Sequence, residues 1–250
     1  TRSIYWCIKN KQRKIVFMRI IRETIRSFRY NLKFLNKSKK TKLNYTVNSS
    51  SNTKLTELMN LYGSDKGGKN NHHNYSDYYS ELFFNKRKDI KNFLEIGLGT
   101  NDESMPSNMG KEGVPLASLK AWKDFFINAN IYGADIDKKI LKNEDRIKTF
   151  FVDQTNPETI YSMFKNIGVD KFDVILEDGL HEYNANICFF ENSIEFLSDT
   201  GIYIIEDIYF KDKDKFIKYF KDKNFNYSIV DIYHKKNIAN NCLVVFQKNV

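Results

Sequence analysis

Cysteine is scarce in this chain of 250 residues. The three that occur, Cys7, Cys188 and Cys242, are far apart and form no Cys-x-x-Cys pair. That excludes a disulfide-stapled scaffold, argues against structural zinc, and fits free thiols in a reducing compartment such as the cytoplasm. Long apolar runs are missing too: none reaches the ~18 residues that a transmembrane helix needs, and no secretory leader is visible. Internal repeats are absent. Acidic residues are nearly absent from the first 45 positions, where Glu23 alone stands against 14 lysines and arginines. The rest of the chain carries 26 basic and 30 acidic residues, so the net charge of +9 describes an N-terminal arm. A uniformly basic face for nucleic acid is therefore not expected on the main body.

What is present divides the chain in two. Ile15, Met18, Ile21, Ile25, Phe28, Leu32 and Leu35 recur at spacings of three and four, which is one face of a helix. Arg19, Arg22, Arg26, Arg29 and Lys33 run beside them. The helix is expected to pack on the body or on a second subunit, or to lie on an anionic membrane surface; a nucleic-acid-binding arm is the remaining alternative. A polar Ser/Asn/Lys-rich linker follows, so residues 1–54 read as arm and linker and residues 55–250 as one domain.

From residue 55 onward strands and helices alternate. Strands are expected at 92–99, 130–137, 146–154, 172–179, 201–208, 225–233 and 241–248. Helices are expected at 116–126, 156–168, 183–198 and 212–224. This predicts an α/β fold: a doubly wound, Rossmann-like, seven-stranded and mostly parallel sheet. The last two strands have no helix between them, so one should run antiparallel. Ligands bind such sheets outside the carboxyl ends of the strands, and that is where the acidic residues collect.

The first strand delivers "LEIGLGTND". Gly97 and Gly99 allow close backbone approach, but a dinucleotide fingerprint needs a third glycine where Asp102 stands. Asp135, ending the next strand, suits a ribose diol. Asp153 and Gln154, ending the third, suit an adenine edge. "EDGLH" (177–181) and "IIEDI" (204–208) end consecutive strands. Neighbouring strands lie ~5 Å apart, so Asp178, Glu206 and Asp207 can meet around one hard cation such as Mg²⁺. Glu206 and Asp207 are adjacent, so the chain must turn there for both to take part. His181, three residues past Asp178, is a candidate general base. Two loops are candidates to cover the site: the polar stretch 61–79, with His72 and His73, and the long segment 100–115.

Taken in order, "LEIGLGT", "YGADID", "VDQT", "EDGLH" and "IIEDI" resemble the class I S-adenosylmethionine-dependent methyltransferases. With "YGSDKG…HH" and "ASLKAWKDFF" they are similar to the metal-dependent sugar O-methyltransferases of the mycinamicin macrolide type and to related bacterial surface-glycan enzymes. The resemblance spans about residues 57–247. It implies that Glu95, Gly97 and Gly99 flank the methionine part of S-adenosylmethionine and that Asp135 holds the ribose. It also implies that Asp153 and Gln154 lie by the adenine, and that Ser118 and Glu177 line the pocket. Asp178, Glu206 and Asp207 match the Mg²⁺ ligands and His181 the base. The family often has Ser where Leu180 stands. The macrolide enzymes also carry a large N-terminal domain, so their acceptor site and oligomer do not carry over.

The expected reaction is methyl transfer to a hydroxyl of a sugar or surface-glycan precursor, as in polysaccharide biosynthesis, leaving S-adenosylhomocysteine. The enzyme would be cytoplasmic, at most peripheral to the inner membrane face through its arm. Two other readings remain open at this level: a nucleotide-binding oxidoreductase, and a non-catalytic membrane-surface or scaffold protein.

Overall fold

A computed structural model of the chain describes residues 44–45, 53–69, 73–223, 226–234, 237 and 240–247. The chain divides into two units, Thr1–Lys42 and Leu43–Val250. The expected basic helix over 13–35 lies outside the described residues, as do His72 and most of the expected linker. Two residues of that linker form β1 (Asn44–Tyr45), which pairs in parallel with Asp231 and Ile232.

The remaining strands are β2 (Asn92–Ile96), β3 (Asn130–Asp135), β4 (Ile147–Phe151), β5 (Phe172–Glu177), β6 (Leu197–Ile205), β7 (Asn226–Ile232) and β8 (Cys242–Gln247). The sheet order is β1-β7-β8-β6-β5-β2-β3-β4. Only β8 runs against its neighbours β6 and β7, as the missing crossover helix requires. The seven long strands thus match the expected sheet, and β1 adds a short eighth at the edge. The order reverses between β2 and β5, which opens a crevice at their carboxyl ends.

Helices cover both faces. Helices α1 (Lys54–Tyr62), α2 (Tyr75–Leu82) and α3 (Ala117–Phe125) lie on one side; Leu55, Tyr79, Phe83 and Trp122 pack there with Phe93, Val174 and Leu176. Helices α4 (Pro157–Ile167), α5 (Tyr183–Ser193) and α6 (Lys213–Asp222) cover the other; Phe164, Phe189 and Phe220 pack with Leu94, Ile96 and Ile175. Alternate strand residues serve opposite layers, the pattern of a sheet buried on both faces. Helix α4 is capped as its sequence dictates, with the Asn156 side chain accepting from Glu158 N, Pro157 at its start and Gly168 left-handed at its end.

The structure corrects three expectations. Helix α2 takes the last five residues of the stretch 61–79 expected as a loop, and helix α1, which no expected element covered, precedes most of that stretch. The helix expected to reach 198 ends as an α-helix at Ser193, and a short 3-10 turn over Ile194–Phe196 leads into β6 at Leu197, before the expected 201. Strand β6 also stops at Ile205 rather than 208, because the chain turns at Asp207, whose φ is +56°.

Candidate active site

A cavity of about 930 Å³ opens at the carboxyl ends of β2, β3, β4 and β5. Gly97 and Gly99 form its floor. Gly97 has φ +83°, and a Cβ there would lie 1.9 Å from the Asp178 carbonyl oxygen. Only glycine allows the β2 turn to pass beside the β5 turn. Asp135 lines the same end, burial raising its pKa, and accepts from Leu98 N at 2.6 Å and Asp137 N at 2.8 Å. Asp137, which spacing did not single out, accepts from the Thr100 hydroxyl at 2.5 Å and ties the glycine loop to β3. Ile136 lines the cavity with its side chain half exposed. Ser118 and Asp153 line it as well.

Gln154 reaches the cavity, but its amide is committed: Nε2 donates to Glu177 at 3.0 Å and Oε1 accepts from Leu180 N at 2.6 Å. It holds the 178–180 turn instead of presenting a free edge to a base. Glu95 and Glu177, expected to line the pocket, do not. Strand parity explains this. Glu95 shares the face of Phe93 and points toward the α1–α2 side, 3.5 Å from Lys66. Glu177 shares the face of Ile175 and accepts from Gln154 and from Asn186 of α5. Burial pushes both carboxyls up to about 7, against the pull of Lys66 on Glu95 and of His181 and the two amides on Glu177.

Across the glycine floor from Asp135, past β5 and β6, Asp178, His181 and Asp207 come together. Asp178 Oδ1 lies 3.9 Å from His181 Nδ1, and Asp207 Oδ2 lies 3.8 Å from His181 Nε2. Among the described residues these three offer ligand atoms within 4.8 Å of one another. The imidazole Nδ1 is buried with no hydrogen-bond partner. The residues therefore fit a small cation, with the imidazole as ligand or as neighbouring base.

Glu206, expected as the third carboxylate ligand, is not in this group. One of its oxygens accepts from Lys66 at 2.7 Å and the other from the Tyr79 hydroxyl. Burial, then Asp178, raise its pKa well above the usual carboxylate range. Asp178 is raised by burial too, against the pull of Lys66 and His181. Lys66 also contacts Asp178. Burial alone would lower its pKa, but Asp178 and Glu206, with Asp65 and Glu95, hold it well above the usual lysine value. Asp207 is fixed from behind by the Tyr75 hydroxyl at 2.6 Å and by His73 Nδ1 at 3.3 Å. Tyr75 and Tyr79 sit four apart on α2, so both hydroxyls reach the same strand end. The 100–115 segment crosses the cavity mouth, where the Ser107 hydroxyl donates to the Leu180 carbonyl at 3.0 Å.

The MycE methyltransferase from the mycinamycin biosynthetic pathway, solved with Mg and S-adenosylhomocysteine, superposes with a TM-score of 0.61 and 24% sequence identity. The match covers 80% of this chain and 56% of that one. The fold is that of a methyltransferase. Sequence comparison points the same way. An 8-demethyl-8-α-L-rhamnosyl tetracenomycin-C 2'-O-methyltransferase of Streptomyces olivaceus is 31% identical over 154 residues, 62% of this chain and 37% of that protein. Mycinamicin VI 2''-O-methyltransferase of Micromonospora griseorubida is 32% identical over 156 residues, 62% of this chain and 36% of that protein. The matched region thus spans little more than a third of those curated methyltransferases. No protein-family model matches the chain.

Proposed function

We propose that the chain is an S-adenosylmethionine-dependent O-methyltransferase whose acceptor is a sugar hydroxyl, in a glycan precursor of the cell surface or a related glycoside. The observation that carries this reading is one continuous cavity with two chemically different ends. One end, past β3, has Asp135 and the exposed Ile136 side chain, suited to a nucleoside with its ribose diol, and the glycine floor past β2 lies between the two ends. The other has two carboxylates around an imidazole. The sugar O-methyltransferases matched above support the choice of a sugar hydroxyl as acceptor.

A divalent cation of the Mg²⁺ type, held by Asp178 and Asp207, would lower the pKa of an acceptor hydroxyl and fix its position. This chain's residues then divide the work. His181, between the two carboxylates, takes the hydroxyl proton as general base. Tyr75 and His73 keep Asp207 aimed at the imidazole. The 100–115 segment and Leu180 limit water at the cavity mouth. An amine acceptor would need less of this apparatus, so the carboxylates and the histidine favour an alcohol. Nucleic acid is not the proposed acceptor. The basic arm, residues 1–54 with its linker, is proposed to contact a membrane surface or a second subunit. Among the described residues no helix is long and apolar enough to cross a membrane.

The test incubates the protein with methyl-labelled S-adenosylmethionine and fractionated cell-surface glycan precursors, with and without Mg²⁺. Label is expected in a sugar fraction and only with the ion. Transfer that survives EDTA unchanged would remove the cation from the reading.

A further inference from the structure

The end of the sheet opposite the cavity carries a surface that the proposed reaction does not use. Phe84 is the most exposed large apolar side chain among the described residues, 79% open to solvent, and Ile127 is 51% exposed. Phe84 follows α2 and leads to the amino end of β2; Ile127 follows α3 and leads to the amino end of β3. Neither stands on a loose loop. Their chain neighbours Phe83 and Phe126 are fully buried, with ring centroids 5.2 Å apart. Arg87 Nε donates to the Phe125 carbonyl at 2.5 Å, and its guanidinium lies 4.8 Å from the Phe125 ring centre. The Asn128 amide donates to the Lys88 carbonyl at 2.9 Å. The two segments are thus clamped side by side, with Phe84 and Ile127 left facing solvent. Positive charge surrounds them. Residues 84–91 hold Lys86, Arg87, Lys88 and Lys91 against one acid, Asp89. Arg87 is committed to the clamp, while Lys86, Lys88 and Lys91 form no ion pair among the described residues.

We propose that Phe84 and Ile127, with Lys86, Lys88 and Lys91, form a surface that docks on an anionic lipid bilayer. The apolar side chains enter between the headgroups while the ammonium groups meet the lipid phosphates. A second copy of the chain fits this surface less well, because a two-fold contact would set one lysine cluster against the other. Alone the patch is too small to hold the chain on a membrane, since stable attachment takes two signals. The proposal therefore rests on the membrane reading of the basic arm, and adds how the body is seated once the arm is bound. So docked, the carboxyl ends of the strands face away from the lipid, and the cavity takes its acceptor from the water side.

The test uses the full chain. Phe84→Trp places a fluorescent reporter on the patch, and the wild type, with Trp6 and Trp122, gives the background. Because Phe84 is exposed, the exchange should leave the melting temperature unchanged. The vesicles contain phosphatidylglycerol and brominated phosphatidylcholine. Sedimentation reads attachment, and quenching by bromine reads whether position 84 enters the bilayer. Phe84→Trp is expected to sediment with the vesicles and to be quenched beyond the wild type. Adding Lys86→Gln and Lys88→Gln should weaken that docking by roughly fivefold per lysine. Sedimentation without quenching beyond the wild type overturns the patch and leaves the arm's membrane role standing. Quenching that the two lysine exchanges leave unchanged overturns it as well. A reporter whose emission shifts with protein concentration in the absence of lipid marks a contact between copies, and also overturns it. Absence of sedimentation in both proteins overturns the patch and the arm's membrane role together.

Discussion

His181 and Asp207 face each other with backbone angles that L side chains rarely adopt, φ of 58° and 56°. Each such position costs on the order of 1–3 kcal/mol and persists only where its surroundings impose it. Here the strain aims an imidazole between two carboxylate oxygens. Replacing His181 by alanine should reduce turnover by ~10²–10⁴-fold. Calorimetry should find S-adenosylhomocysteine affinity near normal, because the imidazole lies at the far end of the cavity from Asp135. Retained Mn²⁺ binding in that variant would mark His181 as a base; lost binding would make it a ligand. Glu177 makes a prediction about pH. Its carboxyl titrates near 7 in the folded chain against 4.5 as the ordinary value. Folding therefore favours its protonated form, and the contribution is present in full below pH 4.5 and lost as pH rises through 7. Denaturant titrations at pH 5 and pH 8 should show wild type losing more stability than Glu177→Gln, by on the order of 3 kcal/mol for a shift of this size. Glu95 has the same shift but is present in both proteins and cancels. Equal losses in the two would mean that the amides of Gln154 and Asn186 hold Glu177 ionised throughout.

The turn after β2 is an element whose shape one residue permits. Gly97→Ala would drive a methyl into the Asp178 carbonyl at a positive φ. It should cost more than about 2 kcal/mol in a denaturant melt and weaken S-adenosylhomocysteine binding. This turn was legible in the sequence, as were the strands, because apolar runs closed by Gly or Asp carry their own signal. The cap was not. Helix α2 reads "YSDYYSEL", polar on most sides, and its packing face is made of tyrosines whose hydroxyls serve the strand ends. Lys66 sits in a polar, Gly-rich stretch with no period, and its partners lie 112 and 140 residues away. No local pattern announces such a contact. Glu95 and Glu177 are a different case. Their parity with Phe93 and Ile175 was readable and would have sent both into the layers rather than the cavity. Glu206 is expected with Asp207 because both end the strand beside Asp178, and the separation of their roles depends on what α2 presents to them.

At the scale of the whole molecule, the unit Leu43–Val250 holds both core clusters and the complete cavity. Deleting residues 1–42 should leave a chain that melts cooperatively and binds S-adenosylhomocysteine as the full chain does, while losing any affinity for anionic vesicles or for a second copy. A truncated chain that no longer melts cooperatively would show that the arm completes the core. Within the unit, the segment from His73 into helix α2 is tied to the last strands: the Tyr75 hydroxyl lies within hydrogen-bond distance of the Asn240 carbonyl as well as of Asp207, and His73 meets Asn241 across 168 positions. A ribosome delivers the chain amino end first, and contacts this distant in sequence close late. Lys66 therefore leaves the exit tunnel long before any of Asp178, Glu206 or Asn241 exists to meet it. A message with a stop codon shortly before position 240 would yield a chain that keeps its glycine floor but lacks β8, the strand that joins β7 to β6, and leaves His73 and Tyr75 without the anchor that aims them at Asp207.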